Sequence, residues 1–208
     1  MKMMFMSMIA AYLCGNVYIF VRALQTLSNL SLGWKLVFSL CYWVAALALV
    51  FTFFVRNVEL PESLSQGLFS IGSVWLVFTL YMVLALLVTD IAKLFLPAFK
   101  PYGFITSLGF TVCLLVYGYF NYKHPKVHHF DIDLEYEGPQ MRIAAISDVH
   151  LGYGTGVSAL KKYVKQINGL NPDVIVIAGD LIDNSVRPLY REPFAEVLSS
   201  LKAPMGIY

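Results

Sequence analysis

Charge is scarce in this chain: Asp, Glu, Lys and Arg make up 13% of its 208 residues, against about a quarter in an ordinary soluble domain. The scarcity is uneven. Residues 1–122 carry 9 charged side chains, and residues 123–208 carry the other 19 of the 28. A front that poor in charge cannot build a water-facing surface, so it reads as a membrane region followed by a domain of soluble composition. The chain also lacks a basic excess. Its net charge of +2 gives no electrostatic footprint for nucleic acid, which is excluded as a partner. Cysteine is sparse as well. Cys14, Cys41 and Cys113 all lie in apolar stretches. An odd number so placed excludes a disulfide frame or a thiolate metal cage and reads as small buried hydrophobes. No internal repeat or low-complexity tract is present.

In place of charge the front has long uncharged runs. A bilayer core about 30 Å thick takes roughly 20 apolar residues of helix to cross. Residues 1–122 hold four such helices, about 3–21, 36–55, 68–88 and 103–122. Trp34, Tyr102, Tyr117, Tyr119 and Tyr122 sit at their ends, where amphipathic rings anchor at the headgroups. The first run is too long for a signal-peptide core and has no small-residue cleavage site behind it, so it reads as a retained span. Four spans put both termini on one side with Lys2, Arg56, Lys123 and Lys126, against Arg22, Lys35, Lys93 and Lys100 on the other. Four against four sets no orientation. Asp90 and Lys93, three apart at the end of the third span, read as a pair on one helix face or as snorkelling groups. So little intramembrane charge argues against a transporter.

Beyond a basic juxtamembrane linker at 123–129, which holds His124, His128 and His129, the pattern is that of an α/β domain over 130–208. Phe130 to Tyr136 alternates apolar and acidic residues, as a half-buried strand does. Glu137-Gly138-Pro139-Gln140 is turn chemistry. Met141 to Ser147 is a second, mostly apolar strand. From Ser158 to Leu170, apolar side chains at 160, 163, 164, 167 and 170 mark one helix face. Val174 to Ala178 is a continuous β-branched run, expected to be buried on both faces. A second amphipathic helix carries Phe194, Val197, Leu198 and Leu201, and Met205 to Tyr208 starts another strand. Strand–helix–strand with short links predicts a parallel sheet with right-handed crossovers.

Parallel strands end on one edge of their sheet, and ligands bind there. Asp148 and His150 leave the first strand, and Gly179-Asp180 leaves the second. Acidic and Gly-Asp turns after strands are common, and Asp-x-His alone says little. Two such turns 32 residues apart, each closing an apolar strand with one helix between, are far less ordinary. Two carboxylates and an imidazole converging on a point suit a divalent cation such as Mn, Fe or Zn. Gly152, Gly154 and Gly156 would let backbone approach a phosphate at the start of the following helix.

The stretches ISDVHLG (146–152) and VIAGDLID (176–183) resemble the first two metal-ligand motifs of the calcineurin-like metallophosphoesterase family. The likeness covers about residues 140–208, the N-terminal part of the catalytic domain, and with the spans before it resembles the family's membrane-attached branch. The resemblance implies a four-helix transmembrane region followed by a partial α/β domain, the metallophosphoesterase-like βαβ sandwich. It implies two divalent metal ions in the complete domain, with Asp148 and His150 on one ion and Asp180 shared by both. The expected activity is hydrolysis of a phosphodiester or pyrophosphate, on a phosphorylated small molecule or a lipid substrate at the bilayer. By the same resemblance the domain faces the cytoplasm of a multi-pass integral membrane protein. The family's later motifs, a Gly-Asn-His, a further His and a Gly-His-x-His, are not in these 208 residues. The chain is therefore expected to be an incomplete and inactive form of the enzyme. The alternative is a non-catalytic membrane scaffold or transporter-like bundle with a degenerate soluble tail.

Overall fold

The computed structural model describes residues 2–54, 60–96, 101–133, 138–183 and 186–208. They form two compact units, Met1–His129 and Phe130–Tyr208.

The first unit is four helices: α1 (Lys2–Thr26), α2 (Leu32–Phe54), α3 (Glu62–Phe95) and α4 (Gly103–Lys123). All four are long and apolar enough to cross a membrane. Two run well past the expected uncharged stretches. The helix α1 continues beyond Arg22, because that side chain pairs with Asp90 of α3 and so does not interrupt it. At 34 residues, α3 is roughly 50 Å long and packs against each of the other three helices. Between α2 and α3 the backbones approach closely: a side chain at Gly72 would lie 2.6 Å from the Leu49 backbone nitrogen. Small residues permit such contacts where lipid removes the usual hydrophobic drive for helix association.

Ile19, Tyr42, Ala46, Met82 and Leu86 form the centre of this bundle, ringed by aromatics including Phe20, Trp43 and Trp75. Asn16, Thr79 and Thr111 are polar side chains buried in the same bundle. Asn16 is wholly buried; its Oδ1 accepts from Trp75 Nε1 at 2.9 Å, from Tyr42 at 3.2 Å and from Thr79 at 3.4 Å. Its Nδ2 donates to the Tyr12 carbonyl at 2.9 Å. The outer surface is apolar, with Leu40, Val44, Val88 and Phe110 all exposed. The three cysteines are on that surface too, which corrects the expectation that they are buried. A thiol is apolar enough to face hydrocarbon, so in a membrane bundle its sequence context does not point it inward.

The second unit is built on β1 (Ile143–Ile146), α5 (Val157–Gly169) and β2 (Val174–Ile177). The strands pair in parallel with Ile143 opposite Val174 and Ile146 opposite Ile177. Arg142 fastens their starts: its N–H donates to Asp173 Oδ2 at 2.7 Å, and its guanidinium donates to the Leu170 carbonyl at 2.6 Å. Ile207 then bridges Ile175 in parallel from the far side, with the Ile177 N–H donating to the Tyr208 carbonyl at 2.7 Å. The terminal segment thus pairs with β2 only as an isolated bridge at Ile207, with Pro204 and Met205 in a turn where the strand is expected to start, and β2 lies between it and β1.

Leu160, Val164 and Ile167 of α5 pack with Ile175, Phe194, Val197, Leu201 and Leu151 into one core. Three features depart from expectation. The run after Asp183 makes two short helices, α6 (Arg187–Arg191) and α7 (Phe194–Leu198), because Pro193 cannot continue a helix. Burial of β2 on both faces does not hold: only Ile175 is fully buried, and Ile143 and Ala145 on the opposite face are exposed. The half-buried strand expected over 130–136 is absent at 130–133, where Phe130 and Ile132 are exposed, and its remainder lies outside the described residues. Alternation gives a segment two faces; without a ladder partner it does not make a strand.

Candidate metal centre

Both strands of the second unit finish on the same edge, and their exits stay joined beyond the sheet. Directly after β2 the Ala178 N–H donates to the carbonyl of Ile146, the last residue of β1, at 2.8 Å. The His150 N–H then donates to the Asp180 carbonyl at 2.9 Å, and the Leu151 N–H to the Leu181 carbonyl at 2.8 Å. Leu151 is fully buried and bridges Ile182, pinning the first loop into the core directly after His150. Sequence reasoning missed this anchor. Its signal was an apolar residue immediately following an exposed imidazole.

The pinned loops bring the three sequence-predicted ligands together. One ligand atom each of Asp148, His150 and Asp180 lies within 4.8 Å of the others, and all three residues are exposed. His150 Nε2 is 3.9 Å from Asp148 Oδ1. Donors about 2.1 Å from a common ion lie roughly 3–4 Å apart, so a small inward adjustment of side chains closes this set around one cation. Two carboxylate oxygens and an imidazole nitrogen are also the right chemistry for a divalent transition ion. Among the described residues this is the one such group.

The backbone carries a second mark. Four non-glycine residues among those described have positive φ: Asp148 (53°), His150 (47°), Asn171 (48°) and Asp180 (44°). Three of the four are the candidate ligands. The left-handed region costs an L-residue of order 1–2 kcal/mol, and such conformations gather at ligand and active sites. Gly179 precedes Asp180 at φ 80° with open space around it, so conformation and not crowding calls for glycine there.

The glycine run behaves differently from the phosphate cradle it suggests. Gly152 donates its N–H to the Thr155 carbonyl at 3.2 Å, closing a turn on itself. Gly156 is the extended residue capping α5. The run shapes the turn into the helix, and the Gly152 amide is already engaged.

Residues 141–205 match the family model described as calcineurin-like phosphoesterase. The chain is similar to a transmembrane protein with metallophosphoesterase domain of Danio rerio, 29% identical over 217 residues, covering 94% of this chain and 49% of the relative. It is also similar to an uncharacterised metallophosphoesterase of Campylobacter jejuni, 29% identical over 188 residues, covering 84% of this chain and 49% of that protein. Over 68 residues it is 37% identical to the UDP-2,3-diacylglucosamine pyrophosphatase of Chlamydia trachomatis, covering 33% of this chain and 20% of the relative. The chain thus spans about half the length of the two longest-matching relatives. No solved structure matches it.

Proposed function

From residues 141–205, which belong to the calcineurin-like phosphoesterases, we infer that the protein is a membrane-bound, metal-dependent phosphohydrolase. The observation that carries the reading is the convergence of Asp148, His150 and Asp180 on one point at the carboxyl edge of a parallel sheet. In this reading Asp148 and His150 would hold one divalent ion, and Asp180 would be the ligand that ion shares with a second. Bound metal would supply Lewis-acid polarisation of a phosphoryl oxygen and a more acidic water. The chain's own residues orient the donors: Leu151 fixes the loop, and the Asp180 carbonyl holds the His150 backbone while its side chain stays free for metal.

Three ligands suffice for one ion. A two-metal centre, with ions about 3.5–4 Å apart, would need donors beyond these three. With these three ligands alone, the 208-residue chain is expected to bind one ion weakly and to hydrolyse nothing by itself. The four apolar helices are long enough to tether the domain to a bilayer, we assign the domain to the cytoplasmic side from the family resemblance, and one relative is named a UDP-2,3-diacylglucosamine pyrophosphatase. Both features favour a phosphodiester or pyrophosphate on a lipid-linked substrate over a freely soluble one.

The test uses the full chain in detergent and the longest natural form that contains it. Mn²⁺ binding is titrated, and Mn²⁺-stimulated cleavage of an aryl phosphodiester is followed, with and without Asp180→Asn. Weak Mn²⁺ binding by the 208-residue chain, turnover by the longer form and loss of turnover on Asp180→Asn are expected. Robust turnover by the 208 residues alone, or an unaffected Asp180→Asn enzyme, would place the site elsewhere.

A further inference from the structure

A second charged site lies in the helical unit, at the end of the bundle where α1 and α3 finish and α4 begins. Asp90 is bracketed by two cations. Arg22 of α1 pairs with its Oδ1, Lys93 Nζ lies 2.8 Å from the same oxygen, and Tyr18 donates to Oδ2 at 2.5 Å. One carboxylate cannot neutralise two cations, so the cluster keeps a net positive charge. It also keeps spare donors. Arg22 uses one N–H on Asp90 and one on Gln25, at 3.2 Å, out of the five a guanidinium offers. Lys93 is only 13% exposed in its side chain, against the 27% and 30% of Arg22 and Asp90.

These spare donors line a cavity. Arg22, Gln25, Thr26, Lys93, Pro101 and Phe104 line an open-mouthed cavity of about 300 Å³, which is at the small end of ligand-binding pockets. Lys93 reaches it because residue 103 is glycine; any side chain there would collide with the lysine's terminal carbons and ammonium. Partly buried ammonium and guanidinium groups facing one polar cavity, with one acid between them, match an anion rich in acceptor oxygens. The position fixes the kind of anion. The ends of helices long enough to span a bilayer lie at headgroup depth, where phosphate is the prevailing anion.

We propose that the cavity formed by Arg22, Lys93, Gln25 and Thr26 binds a phosphate group, supplied by an anionic phospholipid headgroup or by free phosphate. This site is separate from the metal ligands and shares no residue with them. Asp90 acts as its counter-charge: it keeps the two cations folded together while leaving them under-neutralised. The assignment makes opposite predictions for removing a cation and removing the acid. Arg22→Gln leaves Asp90 matched by Lys93 alone, so the bundle folds and the anion loses its main partner. Asp90→Asn raises the positive charge and should hold the anion at least as tightly.

The full chain is prepared in phosphatidylcholine, and its melting temperature is followed as phosphatidylglycerol or inorganic phosphate is added. The expected result is stabilisation by phosphatidylglycerol that falls about tenfold in apparent affinity in Arg22→Gln and in Lys93→Gln, the scale of one charge-assisted bond. Gly103→Ala, which alters no charge but displaces Lys93, should lose affinity in the same direction. Asp90→Asn should retain or strengthen it. A response to phosphatidylglycerol alone identifies a headgroup; an equal response to inorganic phosphate identifies the free anion. No response to either overturns the proposal. So does a response undiminished in both cation variants, or a loss in Asp90→Asn that parallels Arg22→Gln, which would make the cluster a structural ion pair.

Discussion

If the left-handed backbone at His150 is held there to aim its imidazole, glycine at that position should make the metal-free domain more stable than alanine does. The usual order is the reverse, since glycine loses more conformational freedom on folding and ordinarily costs roughly 0.5–1 kcal/mol relative to alanine. At φ 47° the sign turns. A Cβ in this region costs roughly 1–2 kcal/mol, which glycine avoids. Subtracting the two leaves glycine ahead by about 1 kcal/mol, or about fivefold in the constant for opening the domain. Little else changes between the two variants. The imidazole is 49% exposed, so neither substitution opens a core cavity, and both keep the backbone N–H that donates to the Asp180 carbonyl. The assay is amide hydrogen exchange of the full chain in EDTA, read at the Ile175 and Ile177 amides of β2. Both are hydrogen-bonded to the terminal segment and report opening of the unit. Lys161, exposed and helical in α5, is the internal control: there alanine should beat glycine by about 1 kcal/mol. Alanine equal to or better than glycine at position 150 would refute the claim that strain is stored at the ligand. It would leave the convergence of the three side chains without its backbone argument.

Two further outcomes are expected in the helical unit. Gly72→Ala should lower the stability of the detergent-purified chain by about 1–3 kcal/mol, the range for overpacking, because the new methyl meets the Leu49 backbone; Gly67→Ala on the same helix, with open space around it, should be neutral or mildly stabilising. Asn16→Ala and Trp75→Phe should be coupled in a double-mutant cycle by about 0.6 kcal/mol and at most about 1.7, since Trp75 Nε1 donates to Asn16 Oδ1 whereas Tyr42 and Thr79 have other acceptors at the Asn16 and Trp75 carbonyls. Zero coupling, measured as unfolding in mixed micelles, would remove Asn16 from its place as the organiser of the helix contacts.

In the soluble unit the periodicities were legible because water supplies the contrast. Leu160, Val164 and Ile167 recur at helical spacing between lysines, and they are the residues α5 buries. Likewise Val174 to Ile177 is the strand its β-branched run predicts. What failed there was partner-dependent. Phe130 and Ile132 alternate as strand residues do, yet they are exposed and unpaired in any described strand. The three candidate ligands could be named from two short motifs because each motif follows an apolar strand. Their left-handed backbone could not, since Asp and His are only more tolerant of that region than other residues and most of them do not adopt it. The hydrogen bonds from His150 and Leu151 to the second loop are what hold them here.

The helical unit reverses this logic. Its spans were legible from length alone, but hydropathy carries no information about which side of each helix faces its neighbours. Lipid and protein interior accept the same side chains, which is why the cysteines were expected inside and are found outside. The residues that decide packing are the few that lipid rejects. Asn16 gathers Tyr42, Trp75 and Thr79 from two other helices around one amide. Asp90 draws Arg22 of α1 to α3, about one turn beyond the apolar cluster that holds Ile19 and Leu86. Only the local half of this second knot, Asp90 with Lys93, could be read from spacing, because three residues along one helix is a local relation. Its other half spans 68 residues and depends on how α1 and α3 pack. The polar minority of a membrane bundle therefore specifies its contacts in the way the apolar face specifies a soluble helix. Where such a group is left with more positive than negative charge, packing alone does not account for it.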